Sequence, residues 1–202
     1  MTEGSGAVRR RMSKAERRAQ LLDSARDLVR DAGTGEFTLA RLADRAGVTK
    51  PLVYDHFGDR SGVFAELYRE FEERQRAALA AALERAERSL ESVAHLIADA
   101  YIACSLAEGR ELADVIAALT ESDELSEVRL EAESAYLAMC RAALEPYVES
   151  VGNAALQAIV GAGEALARAA LTDRIPEADA RATLERVIVA VAAASADSAA
   201  GR

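Results

Sequence analysis

Residues 37–57 read Phe37-Thr-Leu-Ala-Arg-Leu-Ala-Asp-Arg-Ala-Gly47-Val-Thr-Lys-Pro-Leu-Val-Tyr-Asp-His-Phe57. Leu39, Leu42, Ala43 and Ala46 recur at helical spacing and stop at Gly47, and a second short run begins at Thr49. Gly47 supplies the turn, Ala43 is small where two helices must cross closely, and Leu42, Val48, Val53 and Phe57 form a small shared core. The spacing predicts two brief helices joined by a tight turn, the second held out toward solvent. Such a helix can enter a major groove.

The outward side of that second helix carries Thr49, Lys50, Pro51, Leu52, Tyr54, Asp55 and His56. Lys50 can donate to guanine O6 and N7, Leu52 can pack on a thymine methyl, Thr49 can bond either partner, and Asp55 can accept from a cytosine amino group. Thr38, Tyr54, His56 and Arg60 have the reach and donors for phosphate oxygens, beside the free amides of a helix starting near Asp59. The bland alternative is a surface helix in a generic bundle, which needs neither a glycine turn nor Pro51 at the start of so short a segment. For Phe57 the expectation is simply burial. No second His or Cys lies at ligand spacing from His56, so no metal is expected there.

Toward the N-terminus, residues 1–12 mix Gly, Ser and Arg and read as a flexible basic arm containing Arg9, Arg10 and Arg11. Ser13 followed by Glu16 is a capping box, and Leu21, Leu22, Ala25, Leu28, Val29 and Ala32 then share one helical face up to Gly33. Toward the C-terminus, Asp59 is a good N-cap for a long helix carrying Val63, Phe64, Leu67, Tyr68 and Phe71. The pattern stays helical to the end, with Pro146 expected to bend or end one helix and Pro176 to open the last. Nothing alternates like a strand. The expected fold is all-α with about nine helices: arm 1–12, helix-turn-helix DNA-binding domain 13–58, and helical regulatory and dimerisation domain 59–202.

Composition is compatible with this. Of 202 residues, 50% are hydrophobic, 29% charged and only 3 are Pro. The net charge of −9 seems hostile to DNA, but residues 1–60 carry +3 and the remainder −12, so the base-rich end is where contact belongs. Cys104 and Cys140 lack the spacing of a zinc site and read as small buried hydrophobes. With no long uncharged apolar run and no signal segment, a cytoplasmic location without membrane association is expected. With two His and no nucleophile–base pairing, neither catalysis nor a cofactor or metal is expected.

From about Ala19 to Phe71 the sequence resembles the DNA-binding domain of the TetR family of bacterial repressors. The resemblance rests on Gly33, Thr38, Leu42-Ala43, Ala46-Gly47-Val48, Thr49-Lys50-Pro51, Tyr54 and His56-Phe57, in order and spacing. It implies that Thr49, Lys50, Pro51 and Leu52 face bases and that Tyr54, His56 and Arg60 hold phosphates. There are two departures. Asp55 puts a carboxylate where the family usually has a neutral or basic residue, so an orienting salt bridge stands beside base reading as its role. Gly62 replaces an acidic residue and leaves the next helix's cap less complete.

Past Glu72 only the architecture is implied: a helical domain enclosing a small-molecule pocket and forming a homodimer through its last two long helices. The chain would then be a repressor released from a palindromic double-stranded DNA operator by an effector. Small residues between Leu156 and Leu171, Gly163 among them, and the stripe Leu184, Val187, Ile188, Val191 fit such an interface, to which Leu156 is also assigned. Pocket candidates are the polar or soft groups His95, Tyr101, Cys104, Tyr136 and Met139. Core packing stands beside that role for Tyr101 and Cys104, and a solvated position for His95. Few basic residues and an acidic surface set (Glu111, Asp114, Glu121, Asp123, Glu124) point to an apolar or weakly polar effector.

Overall fold

A computed structural model describes residues 12–119 and 123–200. The basic arm, Met12 apart, lies outside the described residues, as does Glu121. Among those described, the chain is all-helical, with nine α-helices and one 3-10 turn. It divides into two compact units, Met1–Val63 and Phe64–Arg202.

The first unit holds α1 (Lys14–Ala32), α2 (Leu39–Ala46), α3 (Lys50–Phe57) and the start of α4 (Arg60–Leu83). The capping box at the start of α1 is formed: Ser13 Oγ accepts from the Glu16 amide at 3.1 Å, and Glu16 Oε2 from the Ser13 amide at 2.7 Å. Thr38 caps α2 through the Arg41 amide at 3.2 Å. Gly47 ends α2 at φ 66°, ψ 36°, a left-handed conformation that costs glycine little. Leu21, Ala25, Phe37, Leu42, Ala43, Val53 and Val63 are at most 1% exposed and make the core of this unit.

The second unit holds the rest of α4, then α5 (Leu90–Glu108), α6 (Arg110–Leu119), α7 (Asp123–Leu144), α8 (Asn153–Leu171) and α9 (Glu177–Ala200). Ser89 caps α5. Pro146 does end α7: the chain leaves it in a 3-10 turn at Glu145–Tyr147. The core runs through Leu79, Ile97, Tyr101, Ile102, Tyr136, Cys140, Leu144, Leu156, Ile159, Leu184 and Ile188. Helix α5 packs on both α8 and α9, which also pack on each other. By length and composition α5 and α8 are apolar enough to cross a membrane; each places part of its apolar surface in this core.

This packing corrects part of the expected interface. Leu156, Leu184 and Ile188 are at most 1% exposed inside a single protomer, and Gly163 is buried against Tyr101. They are core residues, because the strongest apolar stripes of α8 and α9 are taken up by α5 and by each other. Val187 and Val191 are half-buried. An apolar stripe tells that a helix face is covered, but not whether by its own chain or by another.

Candidate nucleic-acid interface

Helix α3 presents two unlike sides. Val53 and Phe57 are buried against Leu42 and its neighbours, while Thr49, Lys50, Pro51, Tyr54 and Asp55 are exposed and Leu52 and His56 half-exposed. Tyr54, 54% exposed, is one of few large apolar side chains left to solvent. Pro51 stands in the first turn, where its missing amide costs no helical bond. The outward set can therefore approach base edges without unmaking the unit's core.

Helix α1 adds a contribution that the sequence did not announce. Met12, Ser13, Lys14, Arg17 and Gln20 line an open groove whose other wall is Ala46, Gly47, Leu52, Asp55 and His56. Lys14 and Arg17 thus put positive charge beside α3. The available signal was positional: Lys14 and Arg17 precede Leu21 and Leu28 at i, i+3, i+7 and i+14, and so continue the same face of α1 toward its N-terminus.

Arg18 fixes the pose of α3. Its Nη1 donates to the His56 carbonyl at 2.7 Å, and its guanidinium stands 4.9 Å from the centroid of the Phe57 ring. Burial, followed by the charges of Arg18 and Lys14, holds the His56 imidazole below its usual range, so it is neutral near pH 7. Arg60 donates from Nη2 to the Thr34 carbonyl at 2.7 Å, which ties the start of α4 to the α1–α2 loop. Thr38 is likewise engaged as a cap.

Asp59 Oδ1 accepts from the Gly62 amide at 2.8 Å, so α4 is capped despite lacking an acidic residue at 62. Gly62 has a steric reason: a Cβ there would run into the Phe57 carbonyl oxygen. The glycine lets α4 start directly under the end of α3.

In the second unit, Tyr101 and Tyr136 are brought together, their ring centroids 5.9 Å apart at 60°. Met139 and Cys104 are half-buried. His95, off the buried stripe of α5, takes the solvated alternative: it is exposed and pairs through Nδ1 with Glu185 at 2.9 Å, linking α5 to α9 on the surface. Burial raises both thiols, Cys104 to about 11 and Cys140 to about 12, so both stay protonated and unreactive at neutral pH.

The sequence features missed here are the buried polar groups. Glu72, Gln75, Ser105 and Glu133 are at most 5% exposed. Arg129 is paired with Glu164 across α7 and α8. A cavity of about 30 Å³ lies among Phe71, Tyr101, Ser105, Ile116, Glu164 and Ala167.

Residues 21–67 match the family model of bacterial regulatory proteins, tetR family. The regulator BetI of Cronobacter sakazakii is 34% identical over 67 residues, 33% of either chain, so the match spans about a third of that relative's length. The transcriptional activator FasR of Mycolicibacterium smegmatis is 42% identical over 50 residues, 25% of this chain and 23% of its own. The fold extends much further. FadR of Bacillus subtilis, solved with stearoyl-CoA, superposes with a TM-score of 0.72 at 18% identity, over 85% of this chain and 97% of its own. The matched segment carries the helix-turn-helix described above, and in that segment the chain is similar to the tetR family of bacterial regulatory proteins.

Proposed function

We propose that the chain is a sequence-specific repressor that binds a palindromic operator as a homodimer and leaves it when a small molecule enters the second unit. The observation that carries DNA reading is the division of α3: Thr49, Lys50, Pro51, Tyr54 and Asp55 outward, Val53 and Phe57 buried. In this assignment Thr49, Lys50, Pro51, Leu52 and Asp55 meet bases, and Thr38, Tyr54, His56 and Arg60, with Lys14 and Arg17 beside them, meet phosphates.

The homodimer is supported by what α8 and α9 leave uncovered. Ala154, Ala158, Gly161 and Ala165 are exposed along one side of α8, and Ala182, Ala190, Ala193 and Ala194 along α9. Small side chains at helical spacing let four helices approach closely, and Val187 and Val191 border the same surface. A two-fold dimer reads half-sites about 34–36 Å apart, one turn of DNA.

Small-molecule control is supported by the fold shared with FadR, which was solved with stearoyl-CoA. Helix α4 runs without a break from the first unit into the second. A ligand that displaces it changes the spacing of two recognition helices, to the extent that the ligand prefers the non-binding form.

The test is selection of bound fragments from a random DNA pool with the full chain at fixed salt. A palindromic motif with half-sites one turn apart is expected, and no enriched motif would overturn the proposal. FasR, 42% identical over 50 residues, is a named activator, so the sign of regulation needs its own readout. A reporter behind the selected site should rise when the gene is deleted; a fall would make the chain an activator.

A further inference from the structure

On α4, Tyr68, Glu72, Gln75 and Leu79 follow one another at i, i+4, i+7 and i+11, and each is at most 5% exposed. Leu79 belongs to the core shared with Tyr101 and Tyr136, so this stripe runs into the unit's interior. Neither Oε1 nor Nε2 of Gln75 has a hydrogen-bond partner, although the residue is only 2% exposed. Oε2 of Glu72, Oε1 of Glu133 and Nε of Arg129 are also unpartnered, while Tyr136 Oη meets the Cys140 thiol. A buried polar group left this way costs roughly 1–3 kcal/mol, so four residues kept in that condition point to a partner that comes and goes.

The charge of that partner follows from its surroundings. Among the described residues, Glu72, Glu133 and Glu164 meet one interior cation, Arg129, whose Nη2 is committed to Glu164. Arg168 borders the neighbouring cavity but is exposed. Three buried tyrosines, Tyr68, Tyr101 and Tyr136, complete the surroundings, the last two in ring contact with each other. No group of three His, Cys, Asp or Glu among the described residues is placed to hold a metal ion. A compact divalent ion is therefore the wrong shape, and a larger cation with its charge spread over an organic body is the right one.

We infer that Glu72, Gln75, Glu133 and Glu164, with the rings of Tyr68, Tyr101 and Tyr136, form the effector site and that the effector is an organic cation. The inference rests on the ligand-responsive reading above and departs from the apolar effector that the sequence pointed to. A neutral ligand leaves the carboxylates unpaired, and a fatty carboxylate is repelled by them. The cavity against Tyr101 and Glu164, about 30 Å³, holds little more than a water. Binding therefore requires the side chains of α4 and α7 to part, which is how occupancy reaches α4.

The experiment is isothermal titration of the full chain at pH 7.5 with tetramethylammonium, phenyltrimethylammonium and benzyltriethylammonium. The uncharged isostere tert-butylbenzene and the anion octanoate serve as controls. At least one cation should bind tenfold or more tighter than both controls, and Glu133→Gln and Glu72→Gln should each weaken that cation tenfold or more. Equal or tighter binding of either control overturns the inference. So does binding by no cation, or cation binding unmoved in both folded variants. The comparison between cation and isostere needs no variant, so a misfolded one cannot blur it. Cation binding without release of the selected DNA sinks the repressor mechanism and leaves the site standing; release by octanoate alone does the reverse.

Discussion

Gly163 of α8 lies so close under Tyr101 of α5 that a Cβ on it would stand 2.6 Å from the ring's Cε1. The tyrosine is 4% exposed and in ring contact with Tyr136, so it has little room to move. The close crossing of α5 and α8 depends on this missing methyl.

Gly163→Ala should therefore destabilise the chain by about 1–3 kcal/mol, even though alanine is the better helix former by nearly 1 kcal/mol. Urea unfolding checks the sign. Combining it with Tyr101→Ala should recover part of the loss, since the clash disappears with the ring; strict additivity would show that the two residues do not act on each other.

Arg18→Met removes the bond to the His56 carbonyl and the cation over Phe57 while keeping much of the stem. A loss of about 1–2 kcal/mol is expected. Because Arg18 fixes the pose of α3 and touches no base in this account, DNA affinity should fall alike for all fragments. A changed sequence preference would mean that Arg18 reads bases.

Glu72 gives the chain a pH dependence. Burial pushes its carboxyl up to about 7 from an ordinary value of 4.5, with Glu133 and Glu164 raising it further and Tyr68 and Arg129 opposing. Tyr101 also faces the group, from α5. Between those pH values the folded chain holds a proton that the unfolded chain has released, so stability falls as pH rises from about 4.5 to about 7. The loss is on the order of 3 kcal/mol. Glu133, also raised by burial, acts in the same direction. Glu72→Gln should flatten the decline in urea midpoint between pH 5 and 8; a midpoint that rises over this range would contradict the burial of an ionisable Glu72.

Lys14→Ala and Arg17→Ala should each lower the slope of log affinity against log salt by about one, as expected for a lost phosphate contact. Tyr54→Phe should weaken all fragments alike without moving that slope, because it removes a neutral hydrogen bond. Unchanged slopes for both cations would place the groove wall of α1 away from the backbone.

The helix-turn-helix was legible because its residues have single reasons to be there. Gly47 takes the left-handed turn, Ala43 is fully buried, and the exposed members of α3 are the ones left over once Val53 and Phe57 go inward. Legibility failed in the second unit for two physical causes. Glu72 and Gln75 stand among Glu70, Glu73, Arg74 and Arg76, so a polar stripe turned inward looks like the charged outside of α4. Leu156, Leu184 and Ile188 form proper apolar stripes, but the pattern names no partner, and their own α5 takes the place assigned to a second copy. Gly62 looked like an incomplete cap, since the carbonyl that excludes a side chain there belongs to another helix.

Reading of DNA by α3 is tested most directly by running the fragment selection on the wild-type chain and on Lys50→Ala side by side. Two motifs of the same length and symmetry are predicted, the variant's relaxed at one position in each half-site, with discrimination there reduced by about 1–3 kcal/mol. An identical motif from both proteins, at equal affinity, would contradict the assignment of α3 as the recognition helix.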